Sequence, residues 1–187
     1  MFLKYLERSG RFAKIVHFDH PMSAEGLLRT AQRGIGSADQ NRLVAQQTLR
    51  RMIRREDRGA LRSRTFLFAG GRASRAMKLP PRSQYPSYVR SVLEREGIGK
   101  ERPVVFWVYP TNSFFPNLVD RLAPDIVVAD VVDDNRTWYA PGTPMYDKLQ
   151  KNYAQVLARS DVVFANCDPV AQSMTSRTYS LGTGTNT

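Results

Sequence analysis

Three apolar runs dominate the second half of the chain: "RPVVFWVYP" (102–110), "DIVVADVVDD" (125–134) and "DVVFANCD" (161–168). Each is short, rich in β-branched or aromatic residues and bounded by Pro or acid, the pattern of a strand buried on both faces. Helical patterns separate them. "NLVDRLAP" (117–124) is brief and stops at Pro124. "MYDKLQKNYAQVLARSD" (145–161) puts Tyr146, Leu149, Tyr153, Val156 and Leu157 on one face. Strands alternating with amphipathic helices predict parallel βαβ units with right-handed crossovers, an α/β fold.

The first half follows the scheme less regularly. Leu3 and Leu6 begin a short helix that Gly10 can end, and "KIVHFD" (14–19) is a strand. Segment 38–56 is helical in composition, with Leu43, Leu49, Met52 and Ile53 as its apolar contacts. "RTFLFAGG" (64–71) predicts one further strand, closed by two glycines. In "QYPSYVRSVLEREG", Tyr85, Tyr88, Val89, Val92 and Leu93 form a core-facing stripe that Gly97 ends. The loops fall at 20–38, 70–83 and 135–144, and no repeat or low-complexity tract interrupts the chain.

Charge divides the chain more sharply than hydropathy does. The net charge of the 187 residues is +11. Residues 1–102 carry 22 Lys/Arg against 9 Asp/Glu, and residues 103–187 carry 6 against 8. The basic excess peaks in "LRRMIRREDRGALRSR" (49–64), which is either a solvated helix face or a surface for an anionic partner. Segment 40–64 is accordingly expected to meet anionic membrane weakly and reversibly. Nucleic acid is disfavoured, because the stretch lacks interleaved aromatics and any reader motif. No run approaches the ~20 apolar residues of a membrane span, and no h-region marks a secretory leader. With Cys167 the only cysteine, an internal disulfide and a cysteine-based metal site are both excluded. These features together imply a cytoplasmic protein, peripheral at the inner membrane face if the basic segment binds there.

Candidate chemistry gathers where the second apolar run ends. In open α/β sheets ligands bind outside the carboxyl ends of strands, and Asp130, Asp133 and Asp134 fall at such an end. They could take sugar hydroxyls, hold a cation, act as a base or cap the following turn. His17 lies within a strand and reads as a core residue. His20, just past that strand in "HFDHPMS", could orient a substrate. "AGGRASR" (69–75) is a plain turn or a phosphate cradle with Arg72 and Arg75 as counter-charges. In "YPTNSFFP" (109–116), Phe114 and Phe115 either line an acceptor groove or pack beneath the next helix. There is no triad pattern and no metal-ligand spacing.

Taken together, "GRFAKIVHFDHPMS", "PVVFWVYPTNSFFPNLVDRLAPDIVVADVVDDNRTW" and "LARSDVVFANCDPVAQSM" resemble the N-terminal, acceptor-side domain of GT-B glycosyltransferases. The family-4-like and family-1-like bacterial types are the closest in pattern. Asp133 and Asp134 match an aspartate doublet at a strand end, and Ser160 to Asn166 match a later segment leading toward the interdomain linker. The resemblance covers most of 11–20 and 103–175 and is diffuse rather than a strict signature. It implies a Rossmann-like, doubly wound domain over 1–178 whose first strand is missing, with 179–187 opening a linker to an absent C-terminal domain. The function it implies is transfer of a sugar from a nucleotide-sugar to an acceptor hydroxyl. The chain departs from the family in lacking the donor half, so the nucleotide-sugar belongs on the absent domain and this domain binds no cofactor and no metal. The expected acceptor-binding residues are Asp133, Asp134, Asp130, His20 and Tyr109, with a sugar or lipid-linked acceptor. The chain alone is expected to be inactive and marginally stable, its strand at 14–19 lacking a neighbour. A non-catalytic Rossmann-like nucleotide-binding module and a basic nucleic-acid-associated protein are the alternatives.

Overall fold

A computed structural model describes residues 2–26, 57–70, 78–99, 101–166 and 168–174. The helix expected over 38–56, most of the basic segment 40–64, Arg72, Arg75, Cys167 and the linker at 179–187 lie outside the described residues. The chain divides into two compact units, Met1–Glu96 and Gly97–Thr187.

In the first unit, helix α1 (Phe2–Arg8) leads to Gly10, whose φ of 62° suits the left-handed stop expected there. Strand β1 (Ile15–Phe18) pairs in parallel with β3 (Leu61–Arg64), and β2 (Met22–Ser23) pairs in parallel with β4 (Leu67–Phe68). Strand β1 therefore has a neighbour, contrary to the expectation that it would lack one. The single strand expected over 64–71 is corrected too. The chain pairs at 61–64, breaks at Thr65–Phe66 and pairs again for two residues. The break turns Phe66 inward, where its ring centroid lies 5.0 Å from that of Tyr88 and 5.4 Å from that of Tyr85. Tyr85 and Tyr88 come from α2 (Tyr85–Arg95), which buries Tyr85, Val89 and Val92 and ends before Gly97 at φ 67°.

Strand β3, "LRSR", is legible only after its arginines are accounted for. Arg64 bridges Asp57 and Glu96, and Glu96 also lies 3.3 Å from Lys14 Nζ. Burial alone would raise the Glu96 carboxyl pKa, but hydrogen bonds from Arg64 and Lys14 hold it below the ordinary glutamate value. A depressed folded pKa contributes stability that is present above the unfolded value and lost as pH falls through the folded one. The melting temperature of this unit should therefore drop between about pH 5 and 3. Circular dichroism melts should show Glu96→Gln flattening that drop. An unchanged slope in the variant would remove Glu96 from the acid response.

The second unit is a parallel sheet in the order β5-β6-β7, formed by β5 (Val105–Val108), β6 (Ile126–Val131) and β7 (Val162–Ala165). Helix α3 (Phe115–Leu122) joins β5 to β6, and α4 (Pro144–Leu157) joins β6 to β7. These are the two βαβ units expected from the pattern. Helix α3 starts two residues earlier than its apolar pattern suggested, with Phe115 and Pro116 in its first turn. Phe115 from α3 and Val156 from α4 pack with Val108, Val127 and Ala129 on one face of the sheet. Central β6 is buried on both faces, as its apolar run suggested, with Val127, Val128, Ala129 and Val131 all buried, whereas β7 is not. Ile126 at the start of β6 and Val162, Val163 and Phe164 of β7 remain exposed.

Two acids close the amino ends of the sheet. Asp125 accepts the Val104 N–H at 2.7 Å, and Asp161 accepts the Val127 N–H at 2.8 Å. Each stands just before its own strand and satisfies an amide at the start of the neighbouring one. Both therefore have structural work at the rim opposite the strand ends where ligands bind.

Candidate functional site

The carboxyl end of β6 holds the most ordered polar cluster of the second unit. The chain leaves Val131, passes Val132 and Asp133, and enters a 3-10 turn over Asn135–Trp138. Asp134 caps that turn, its side chain accepting the Arg136 N–H at 3.1 Å. The Arg136 guanidinium grips the same carboxylate with both prongs, Nε to Oδ1 at 2.7 Å and Nη2 to Oδ2 at 2.9 Å. Both residues are buried, Asp134 at 7% and Arg136 at 2% exposure.

The surrounding side chains receive that pair. The guanidinium carbon of Arg136 lies 4.6 Å from the centre of the Tyr153 ring, a cation–π contact in a desolvated setting. Nη1 reaches Gln150 Oε1 at 3.3 Å, and Nη2 reaches Met174 Sδ at 3.5 Å. Ser173 Oγ donates to Asp134 Oδ2 at 3.2 Å, which brings the helical segment 168–174 into the network. Tyr153 O–H donates to the Asp133 carbonyl at 2.8 Å and accepts the Asn135 N–H at 3.1 Å. Burial raises the Tyr153 pKa, with the charges of Asp134 and Asp133 adding to it, so the hydroxyl stays protonated as a donor.

The aspartate doublet thus separates into two roles. Asp134 is withdrawn from the acceptor-binding set, since Arg136, its backbone amide and Ser173 occupy both carboxylate oxygens. Asp133 is exposed just beyond the central strand, and its backbone is fixed by Tyr153 while its carboxylate makes no hydrogen bond among the described residues. Asp130 sits one register step back on the sheet face and accepts Trp107 Nε1–H at 2.9 Å. Trp107 in turn stacks on Phe164, with centroids 5.4 Å apart and planes inclined by 13°. Tyr109, just past β5, is half exposed, and its hydroxyl pKa is raised by burial and then by the nearby charge of Asp130. Asp130 and Tyr109 are therefore neighbours at the carboxyl ends of β6 and β5, and Asp133 follows β6 by two residues.

His20 lies in the first unit, beyond the carboxyl end of β1, exposed, with Nδ1 3.0 Å from the Pro21 carbonyl oxygen. His17 is half-buried in β1 rather than a core residue, with Nδ1 3.6 Å from Asp19, whose carboxylate also accepts Thr65 Oγ1–H at 2.7 Å. Phe115 packs under α3 rather than lining a groove. Sequence reasoning missed Arg136, Tyr153 as a polar anchor, and Ser173. The available signal was "DDNR", an acid and an arginine two residues apart at a strand end, which suits a local bidentate pair.

Among the described residues no group of three or more His, Cys, Asp or Glu side chains converges as metal ligands do. No helix among them is long and apolar enough to cross a membrane. The chain matches no family model, no curated protein and no solved structure. The chain is mixed α/β, and its three-stranded parallel sheet ends its central strand near Asp133, a carboxylate with no hydrogen bond among the described residues.

Proposed function

We propose that this chain is the acceptor-side, Rossmann-like half of a GT-B-type glycosyltransferase, with Asp133 orienting the hydroxyl that receives the sugar. The observation that carries the reading is the division of labour within the doublet. One aspartate is buried as an anchor, and the other is held at the strand end with its oxygens turned over to solvent. A carboxylate is an acceptor-only group, so it is suited to O–H donors such as those of a sugar. Strand ends of parallel α/β sheets are where such ligands bind. Asp130 and Tyr109 extend the polar surface beside Asp133. In this reading the nucleotide-sugar is bound elsewhere, by a donor half, and the chain by itself performs no transfer.

Ligand-observed NMR on the whole chain tests the proposal. The mixture contains methyl pyranosides, a short-chain prenyl phosphate, UDP, GDP and ADP. An acceptor-class ligand, sugar or lipid-linked, should show saturation transfer that Asp133→Asn weakens at least about tenfold. Saturable binding of a nucleotide with no acceptor signal would overturn the proposal in favour of a nucleotide-binding module. Binding to an added oligonucleotide that falls steeply with salt would support a nucleic-acid role instead.

A further inference from the structure

We infer that β7 is a dimerisation edge. A second copy of this chain lays its own β7 antiparallel to it across a two-fold axis centred on Val163, joining two three-stranded sheets into one of six. The inference is independent of the acceptor reading above.

Strand β7 ends the order β5-β6-β7, and among the described residues no strand pairs with its other edge. Such an edge offers unpaired N–H and C=O groups to any extended chain that reaches it. Side chains alternate along a strand, so Val162 and Phe164 face one side of the sheet and Val163 the other. All three are exposed, at 41%, 51% and 44%. The strand is thus open along its edge and on both faces. A helix or ligand lying on the sheet would cover one of those faces, whereas an added strand brings side chains to both and satisfies the edge. Nothing within the strand opposes this. "VVFA" holds neither a charge nor a proline, the usual guards of an exposed edge. Asp161, just before it, is turned toward β6, where it accepts the Val127 N–H at 2.8 Å.

The strand required is one whose side chains fit these three, and β7 itself fits them. A two-fold axis perpendicular to the sheet keeps each face on its own side, so residues paired across it must share a face. Centring the axis on Val163 meets that condition and uses every exposed side chain. Val163 pairs with its own counterpart on the face that carries Ala129, the one packed by Phe115 and Val156. On the opposite face Val162 pairs with Phe164 of the second copy, and Phe164 with its Val162. Aromatic and β-branched residues are favourable cross-strand neighbours. Phe164 is already positioned for this, its ring stacked on Trp107 with centroids 5.4 Å apart. Three side chains and one short ladder bury less than the ~800 Å² per partner of a standard interface, so the dimer should be weak and reversible.

The experiment uses the whole chain with Cys167, its only cysteine, replaced by serine, and one new cysteine added at a time. Directly opposed antiparallel residues have Cα atoms about 4.5–5.5 Å apart, within disulfide reach, whereas diagonal ones at about 7–8 Å are not. Under mild oxidation Val163→Cys should therefore give a covalent dimer on a non-reducing gel. Val162→Cys and Phe164→Cys should each stay monomeric alone and cross-link when mixed. Sedimentation velocity of the parent should show a dimer that grows with concentration, and Val163→Lys, which sets a charge on the edge, should weaken it at least about tenfold. Unchanged circular dichroism melts show that these variants at exposed positions are folded. A parent that stays monomeric up to about 300 µM overturns the proposal, as would a strand from elsewhere in the chain occupying this edge. A dimer insensitive to Val163→Lys, or equal cross-linking at all three positions, overturns it too.

Discussion

Replacing Arg136 with methionine should destabilise the Gly97–Thr187 unit by about 3–5 kcal/mol, the cost of breaking a buried, two-pronged ion pair. Methionine fills much of the same volume, so the loss is electrostatic rather than a cavity. Among the hydrogen bonds described, Asp134 would keep those from the Arg136 backbone amide and Ser173 Oγ, at 3.1 and 3.2 Å. Lysine at position 136 keeps the charge but not the two-pronged geometry, so it should recover part of the loss. Asp134→Asn combined with Arg136→Met should be less damaging than Arg136→Met alone, because no buried charge is then stranded. Urea denaturation followed by tryptophan emission reads this unit directly, since both tryptophans, Trp107 and Trp138, belong to it. A cost below about 1 kcal/mol for Arg136→Met would mean that the carboxylate is relieved by water, and the pair would lose its role as anchor.

That anchor marks the boundary of what the sequence makes legible. The alternation of apolar strand and amphipathic helix over 102–165 is strong because each period repeats long enough to be unambiguous. Strands β5, β6 and β7 accordingly appear where the pattern puts them. The location of the acids was equally legible, since a strand end is set by the same pattern. Which aspartate would be buried was not, because that depends on Arg136, Tyr153 and Ser173 meeting in space from three segments. The exposure of β7 was illegible for a related reason. A continuous apolar run states what a strand tolerates, not how many helices cover it.

The first unit shows the opposite failure. "LRSR" reads as solvated by its arginines, yet it forms β3 because Asp57 and Glu96 neutralise Arg64 beside it. "RTFLFAGG" reads as one strand, yet the inward turn of Phe66 divides it. In both cases a tertiary contact outweighs the local pattern. Asp125 and Asp161 were legible as the acids that open two of the apolar runs, and their amide partners emerge from the register of the sheet.

The largest effect on packing is expected from Phe115→Ala, at about 3–5 kcal/mol. Phe115 is 2% exposed and fills the space among Val108, Val127, Ala129 and Val156, so β5, β6 and α4 all lean on one ring. Its place in the first turn of α3 limits collapse into the void. Pro116 follows it and Asn112 accepts its N–H at 3.2 Å, so the backbone is held on both sides. The lost transfer energy and the residual cavity therefore add rather than offset each other. Leucine at 115 restores most of the volume and should cost less than about half as much. Phe115 belongs to the core cluster and Arg136 contacts Tyr153 and Met174, and Leu157 packs against both groups, so the two losses should sum within about 0.5 kcal/mol in one background unless Leu157 couples them. Each alone approaches the ~5–15 kcal/mol on which a typical domain stands, so the additivity is read by comparing Phe115→Leu with Arg136→Lys. A marked departure from additivity in that milder pair would show that the apolar core and the buried ion pair are one cooperative structure, with the position of Asp133 depending on both.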